Sequence, residues 1–176
     1  MIFIISGRFK KRKLVTPKGL TTRPTLNKVR ETLFNICQGE IEGATFLDLF
    51  AGSGAIGLEA LSRGAASVTF VEKDRAAFQA LAENIKMLGV ERETRLIKGD
   101  VFKTIEHLAA FDIIFADPPY GQGFGERLLP LIIEHALLNR SLFIEESSEL
   151  GEQEGLQLQS IRKTGRTKLH HYGLPP

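Results

Sequence analysis

Short apolar runs alternate along the chain with longer segments in which apolar positions recur every three or four residues. The short runs predict strands at 44–49, 67–72, 94–98, 111–116 and 142–145, and a closing hairpin at 156–162 and 167–172. The longer segments predict helices at 54–63, 74–89, 102–109 and 124–138, the last with a late start or a kink at Pro130. Strands that alternate with helices are typical of an α/β fold with a parallel, doubly wound sheet.

The N-terminal part departs from this alternation. Two short strands are predicted at 2–5 and 12–16, followed by a helix that Thr25 caps and that ends near Gln38. We therefore expect a small hairpin and helix extension over residues 1–40, and a main domain over residues 41–176.

Acidic residues stand at or just past the ends of four predicted strands: Asp48, Glu72, Asp100 and Asp117. The carboxyl ends of parallel strands meet at one edge of a sheet, and this edge is where such folds bind ligands. Four acids at four strand ends are hard to explain as solvated surface. They predict a binding site at this edge of the sheet.

Charge is distributed unevenly along the chain. The 176 residues carry a net charge of +2, but residues 1–30 hold nine basic residues and no acid, which leaves −7 for the rest. A basic arm on an acidic body favours nucleic acid as the partner. Cys37 is the only cysteine, so no internal disulfide can form, which suits the reducing cytoplasm. No run is long and apolar enough to predict a membrane span.

A glycine-rich segment joins the strand at 44–49 to the helix that follows it. Gly52, Gly54 and Gly57 match the Gly-x-Gly-x-x-Gly fingerprint of dinucleotide sites. Glu72 ends the next strand, where its carboxylate can accept both hydroxyl hydrogens of a ribose. This match alone leaves NAD open as the cofactor, and it leaves open that the glycines only pack a helix on a strand.

Three further features favour S-adenosylmethionine over NAD. Asp48 stands before the glycines, where a carboxylate can hold an ammonium group but repels a pyrophosphate. Asp100 ends the third strand of the main domain, where it can hold the amino group of adenine. The tetrapeptide at 117–120 has no evident role in hydride transfer.

That tetrapeptide, Asp117-Pro118-Pro119-Tyr120, follows the apolar strand at 111–116. Prolines donate no backbone N–H and keep a turn stiff, so carbonyl oxygens face the site. Asp117 and the Pro118 carbonyl can accept hydrogen bonds from a planar amine, and Tyr120 can stack on its ring. The pattern predicts an acceptor site for the amino group of a base.

Longer segments extend these motifs over nearly the whole chain: 5–10, 23–25, 29–36, 48–57, 59–65, 71–72 and 117–120. Together they resemble the RsmD family of small-subunit rRNA guanine-N2 methyltransferases, within the Rossmann-like class I methyltransferases. The resemblance implies a seven-stranded, mostly parallel sheet with an antiparallel C-terminal hairpin. The chain departs from the family at Lys11, where a glycine is common, and at Ile2 and Phe3, where the family is often basic.

The resemblance implies transfer of a methyl group from S-adenosylmethionine to the N2 amine of a guanine in small-subunit rRNA. Residues implied at the acceptor site are Asp117, Pro118, Pro119 and Tyr120. Residues implied to bind the cofactor are Asp48, Phe50, Ala51, Gly52, Ser53, Gly54, Glu72, Lys73, Asp100, Val101 and Asp117. Residues implied to contact RNA are Arg8, Lys10, Lys11, Arg12, Lys13 and Arg23.

Other functions stay open at this stage. DNA adenine-N6 methylation uses the same tetrapeptide, although 176 residues leave little room for a target-recognition domain. An RNA-binding assembly factor without catalysis is a second alternative, and NAD-dependent hydride transfer is a third. The four histidines show no metal-ligand spacing, so no metal is expected. We expect a cytoplasmic monomer that acts on rRNA, either naked or in a ribosomal particle.

Overall fold

The computed structural model describes the backbone of residues 1–17 and 24–176, and the side chains of 1–17 and 27–176. A seven-stranded sheet forms the centre of the main domain. Its strands are β3 (Thr45–Leu49), β4 (Ser67–Glu72), β5 (Thr94–Lys98), β6 (Phe111–Ala116), β7 (Leu138–Glu146), β8 (Gln157–Thr164) and β9 (Thr167–Gly173). They lie in the order β5-β4-β3-β6-β7-β9-β8. The first five are parallel, whereas β9 runs antiparallel to both β7 and β8.

Helices connect the parallel strands: α2 (Ala55–Ser62), α3 (Arg75–Leu88), α4 (Val101–Thr104) and α5 (Phe124–Glu134), with short 3₁₀ turns at Glu91–Glu93 and Ile105–His107. Asp74 caps α3 by accepting a hydrogen bond from the Ala77 amide, and Gly89 ends that helix with a φ of 70°. The strand order reverses between β3 and β6, which is where the parallel strands of such a sheet open a crevice. The predicted α/β fold, with its parallel core and antiparallel C-terminal hairpin, is confirmed.

The two faces of the sheet are covered by separate hydrophobic clusters because successive strand residues point to opposite faces. Phe46 and Phe115 pack on one face with α2 and α3, whereas Leu47 and Ile114 pack on the other with α5. Burial on both faces explains why β3 and β6 are almost continuously apolar. The acid-bearing ends of the strands are left uncovered at one edge of the sheet.

The N-terminal segment forms a two-stranded hairpin and a helix: β1 (Ile2–Phe3), β2 (Lys13–Leu14) and α1 (Pro24–Ile36). Ile4 and Leu14 of the hairpin and Leu33 of α1 are buried in the same cluster as α2 and α3. Glu59 in α2 binds the hairpin as well, since its carboxylate accepts hydrogen bonds from the Ile5 and Ser6 amides at 2.7 and 2.9 Å. The proposed boundary at residue 40 stays a prediction, but the segment is packed firmly on the main domain.

Several predicted boundaries are wrong. The first helix begins at Pro24, so Thr25 lies inside it and not before it. A helix predicted at 102–109 is one α-helical turn followed by a 3₁₀ turn that ends at His107. β7 begins at Leu138, four residues before its predicted start at Leu142. Its first part contains Asn139 and Arg140, whose exposed polar side chains conceal the strand in the sequence.

Pro130 does not delay the start of α5. The helix begins at Phe124 and ends at Glu134, with Pro130 inside it. Proline cannot donate to the carbonyl of the residue four positions earlier, which here is Glu126. Both residues are exposed, so water can satisfy that carbonyl, and the late start that the proline suggested is wrong. In the described ranges, no helix is long and apolar enough to cross a membrane.

Candidate active site

A cavity of about 470 Å³ opens where the carboxyl ends of the parallel strands meet. Its walls come from the ends of four strands and the loops after them: Phe50, Val71, Glu72, Lys73, Asp74, Gly99, Val101, Asp117, Pro118, Pro119 and Tyr120. This volume lies within the ordinary range of roughly 300–1,000 Å³ for small-molecule sites. Eight of the residues predicted for the site lie in this wall, so predicted cofactor residues and the acceptor tetrapeptide face one space. Gly52 and Asp100, which were also predicted, do not line it.

The glycine-rich loop combines sharp turning with close packing. Gly54 and Gly57 have no room for a side chain, since an added Cβ would lie 2.3 Å from Leu81 Cδ1 and 2.3 Å from Phe70 Cε1 respectively. Gly52 differs, because its φ is +57° and no atom lies within 4 Å of an added Cβ. Gly54 and Gly57 therefore pack the helix on the sheet, whereas Gly52 leaves the backbone open to a ligand.

Glu72 joins this loop to the next one. Its Oε2 accepts a hydrogen bond from the Gly52 amide at 2.7 Å, and its Oε1 accepts one from the Asp74 amide at 2.6 Å. A carboxylate offers about four lone-pair sites, so two remain for hydroxyl groups in the cavity. Glu72 is thus fixed in orientation before any ligand binds, which lowers the entropy lost on binding.

Asp48 lies beneath the loop rather than in the cavity wall. It is 1% exposed, and its Oδ2 accepts a hydrogen bond from the Gly57 amide in the first turn of α2 at 2.9 Å. Burial raises the pKa of Asp48 well above its ordinary value, the Gly57 hydrogen bond opposes this, and the charges of Asp117 and Glu72 raise it further. Burial makes the charged form of Asp48 unfavourable, and a cation in the cavity would stabilise that form.

Lys73 lies in the cavity wall on the side of β5, and Asp100 lies beside it outside that wall. The Asp100 side chain caps α4 by accepting a hydrogen bond from the Phe102 amide at 3.0 Å, and its Oδ2 lies 3.6 Å from Lys73 Nζ. Val101 follows, buried in the cavity wall. Ala51, Ser53 and Gly54 complete the loop between Phe50 and α2 without lining the cavity.

The tetrapeptide after β6 forms the opposite wall. Asp117 is half-buried, Pro118 is buried, and Pro119 and Tyr120 are exposed. The Tyr120 hydroxyl donates a hydrogen bond to Glu145 Oε1 at 3.3 Å. Glu145 lies at the end of β7, so this bond fixes the tyrosine ring beside the next strand of the sheet.

Comparisons with known proteins agree with this geometry. The family model described as "Conserved hypothetical protein 95" matches residues 2–173. The chain is 39% identical over 150 residues to Ribosomal RNA small subunit methyltransferase D of Escherichia coli K12, covering 85% of this chain and 75% of that protein. It is 40% identical over 146 residues to YlbH of Bacillus subtilis, named as an rRNA methyltransferase, covering 80% and 79%. The solved structure of yhhF from Escherichia coli superposes with a TM-score of 0.89 at 35% identity, covering 98% and 97%.

The chain belongs to the Conserved hypothetical protein 95 family. The predicted resemblance to RsmD proteins is therefore confirmed, as is the class I methyltransferase fold.

The basic residues predicted for RNA lie on the hairpin of this family member, away from the core. Lys10, Lys11 and Lys13 are exposed. Arg8 pairs with Glu93, and Arg12 donates to the Met87 carbonyl at 3.2 Å, so these two also attach the hairpin to α3 and the turn after it. Arg23 lies outside the described residues.

Two residues with clear positions at the site were absent from the sequence prediction. Asn84 in α3 is fully buried and donates to the carbonyls of Ser53, in the glycine loop, and Val15, beyond β2. Glu145 is buried behind Tyr120. The signal for Asn84 was present, since it falls between Leu81 and Ile85 on the apolar face of the helix, where a polar residue needs a partner.

The remaining candidates are structural. Cys37 is buried in the core, and burial raises the pKa of its thiol to about 12, which makes it unreactive. His170 and His171 are buried strand residues whose pKa values are lowered by burial. Among the described residues, no group of three or more His, Cys, Asp or Glu side chains is arranged to hold a metal ion.

Proposed function

We propose that this chain transfers a methyl group from S-adenosylmethionine to the exocyclic N2 amine of a guanine in small-subunit rRNA. One observation carries the proposal: the Asp117–Tyr120 turn lines a single cavity together with Phe50, Glu72, Lys73 and Val101, four of the residues predicted to bind the cofactor. A donor held on one side and an amine held on the other would meet there. The names of the relatives, which specify rRNA and methyl transfer, support the same reading.

The chemistry of the residues fits S-adenosylmethionine. Glu72 has free acceptor capacity for the ribose hydroxyls, and Asp48 places negative charge beneath the loop that would hold the methionine part. Lys73 and Val101 would flank the adenine, with Asp100 near its amino group. When bound, the cofactor supplies an activated methyl group on a sulfonium, so the protein has mainly to position the acceptor.

Positioning matters because the lone pair of a guanine amine is delocalised into the ring. Hydrogen bonds from the amine to the Asp117 carboxylate and the Pro118 carbonyl would direct that lone pair toward the methyl group. Such alignment can contribute up to about 7–11 kcal/mol in favourable cases. The amine becomes acidic only after it has been methylated, so Asp117 does not have to be a strong base.

Tyr120 would stack on the target base. Tyr120 is 37% exposed in the cavity wall, and its hydroxyl donates to Glu145. A base must leave its stack to reach this position, at a cost of roughly a few kcal/mol. Phosphate contacts from the hairpin cations Lys10, Lys11 and Lys13 would offset that cost.

The test is transfer of labelled methyl groups from S-adenosylmethionine to three substrates: small-subunit rRNA transcribed in vitro, small-subunit particles that lack the modification, and duplex DNA. Nucleosides from each reaction are separated after digestion. We expect N2-methylguanosine from the RNA or the particles, and the comparison of these two identifies the natural substrate.

Two outcomes would overturn the proposal. Label in N6-methyladenine from DNA would assign the site to adenine, because the same turn can hold either amino group. Tight RNA binding without any transfer would identify an assembly factor instead. Calorimetry then measures S-adenosylmethionine binding. It shows whether a chain that binds RNA without methylating it still binds the cofactor.

A further inference from the structure

The turn between β8 and β9 lies beside the acceptor tetrapeptide. β9 runs antiparallel to β7, so it starts at the edge of the sheet where the parallel strands end. Thr167, its first residue, donates a hydrogen bond to Glu145 Oε1 at 2.7 Å. That oxygen also accepts the hydrogen bond from the Tyr120 hydroxyl. One carboxylate therefore connects the tyrosine that faces the base to the tip of the C-terminal hairpin.

Hydrogen bonds also make this tip rigid. The hydroxyl groups of Thr164 and Thr167 lie 3.1 Å apart, and Thr164 is the donor because the single hydrogen of the Thr167 hydroxyl is given to Glu145. Both threonines are buried. The two residues between them, Gly165 and Arg166, are exposed. The tip is thus a fixed projection with an arginine at its end.

The hairpin is strongly basic. Residues 157–173 contain four basic residues and no acid: Arg162, Lys163, Arg166 and Lys168. Lys163 and Lys168 are directly opposite each other in the antiparallel pair, an arrangement of like charges that destabilises a sheet. Lys168 pairs with Glu149 at 2.7 Å. Within the part of the chain that the structure describes, Arg162, Lys163 and Arg166 have no ion-pair partner.

Protection of a sheet edge accounts for only part of this charge. β8 is the outermost strand, and cations on an edge strand block pairing with another sheet. That role suits Arg162, and Lys163 shares it while lying next to the turn at the end of β8. It does not account for Arg166, which is in the turn, whereas Lys168 on the inner strand is paired with Glu149.

We propose that the tip of the β8–β9 hairpin is a second RNA-binding surface, which holds the phosphates of the strand next to the target nucleotide through Arg166 and Lys163. This inference rests on the proposed rRNA methylation, and it adds a contact that the basic N-terminal arm does not provide. The arm binds RNA on the α3 side of the sheet, and the tip binds it beside Tyr120. Two separate anchors would hold the flanking strand while the base is turned into the cavity.

The first test compares Arg166→Gln and Lys163→Gln with a matched control, Arg140→Gln. Arg140 is an exposed cation in the same sheet, but it lies near Gly173, at the opposite end of β9 from the tip. Binding to the in vitro transcript of small-subunit rRNA is measured at several salt concentrations. Each tip variant is expected to lose one phosphate contact. The slope of log K against log[salt] is then less negative by about 0.7–0.9, and binding is about threefold to fivefold weaker.

Kinetics separate this role from a structural one. For the tip variants we expect a higher KM for RNA, an unchanged KM for S-adenosylmethionine and an unchanged kcat at saturating RNA. Replacement by the other cation, Arg166→Lys, is expected to restore most of the affinity because a phosphate contact mainly needs charge. Arg140→Gln is expected to match the wild type in every measurement.

A crosslinking experiment locates the contact. Cys37 is buried and unreactive, so a photo-crosslinker attached to the Arg166→Cys variant labels that position alone. Crosslinks are expected within a few nucleotides of the methylated guanine, and the Arg140→Cys variant is expected to give none there. If both variants behave alike, or if Arg166→Gln and Arg140→Gln bind RNA equally, the inference is wrong. Failure of the wild-type chain to methylate rRNA would instead contradict the proposed function.

Discussion

Asp117 is the residue on which the proposed chemistry depends most directly. If it directs the amine lone pair, Asp117→Ala is expected to lower kcat by about a thousandfold, because a preorganised polar contact in the transition state is lost. Asp117→Asn keeps an oxygen acceptor and is expected to retain measurable transfer. Labelled methyl transfer under saturating substrates tests both variants, and calorimetry is expected to show nearly normal S-adenosylmethionine binding. Near-normal turnover by the alanine variant would contradict the assignment, and equal inactivity of both variants would favour a catalytic base.

Asp48 gives a prediction about pH. Burial raises its pKa in the folded state above the unfolded value of about 4, so the folded state binds more protons between these two values. The free energy of unfolding therefore falls as the pH rises through that window. We expect Asp48→Asn to remove this dependence and to raise the melting temperature of the cofactor-free protein at neutral pH.

The same variant is expected to weaken S-adenosylmethionine binding, because the neutral amide no longer attracts an ammonium group. Thermal unfolding at a series of pH values and calorimetric titration measure the two effects. Greater stability combined with weaker binding would show that the buried charge is kept for the ligand. A less stable Asp48→Asn protein at neutral pH would contradict the direction of the pKa shift.

Lys11 has a backbone conformation that favours glycine. Its φ is 69°, in the left-handed region that side chains disfavour. Lys11→Gly is expected to stabilise the protein by up to about 1 kcal/mol, since the strain of about 1–2 kcal/mol is partly offset by the entropy of glycine. Chemical unfolding measures the change, and Lys10→Gly, at a neighbouring position, is the control expected to give no gain.

At the scale of elements, α3 links the N-terminal segment to the glycine loop. Asn84 accepts a hydrogen bond from the Val15 amide at 2.7 Å and donates to the carbonyls of Val15 and Ser53 at 2.9 and 3.0 Å. One buried amide thus fixes the chain after the basic hairpin and the loop that would hold the cofactor. We therefore expect a change in either segment to affect the other through this side chain.

Asn84→Ala is therefore expected to raise the dissociation constant of S-adenosylmethionine about fivefold, since the loop loses one buried hydrogen bond of about 1 kcal/mol. Ser62→Ala is the matched control. Ser62 is also buried and binds the N-terminal segment through the Phe9 amide and the Ser6 carbonyl, but it does not contact the loop. Calorimetry measures the S-adenosylmethionine affinity of both variants, and hydrogen exchange measures the protection of residues 52–54. Equal cofactor affinity in the two variants would contradict a role of Asn84 in positioning the loop.

The elements also show which features a sequence can predict. β4 was predicted correctly because it is a short apolar run. α3 was predicted correctly because its apolar residues recur at helical spacing between a capping acid, Asp74, and a terminal glycine, Gly89. The start of β7 was missed because its first residues are exposed and polar. The shared hydrogen bonds of Glu145 could not be predicted, since they depend on how β7, β9 and the tetrapeptide meet in three dimensions.

On the scale of the whole molecule, the charge asymmetry of the sequence becomes an asymmetry of surfaces. The hairpin of residues 2–14 turns its apolar residues, Ile2, Ile4 and Leu14, into the core, and it presents Lys10, Lys11 and Lys13 to solvent. Among the acids of the main domain, Glu72 and Asp117 line the cavity, and Asp48 is buried beneath the glycine-rich loop. A polyanion would therefore meet cations on both sides of an acidic cleft that accepts a base and a cationic cofactor.

The exposed lysines of the hairpin can be tested separately from its buried residues by a triple variant, Lys10→Gln, Lys11→Gln and Lys13→Gln. The hairpin is held by its buried residues and by Glu59, so the fold and the S-adenosylmethionine affinity are expected to stay unchanged. The slope of log K for RNA against log[salt] is expected to become less negative by about 2–3, because three phosphate contacts are lost. Circular dichroism and calorimetry serve as controls for folding and cofactor binding. The arm contacts α2 and α3 whereas the tip contacts β7, so their losses are expected to add when this variant is combined with Arg166→Gln. An unchanged dependence of K on salt would remove the arm from the RNA-binding surface.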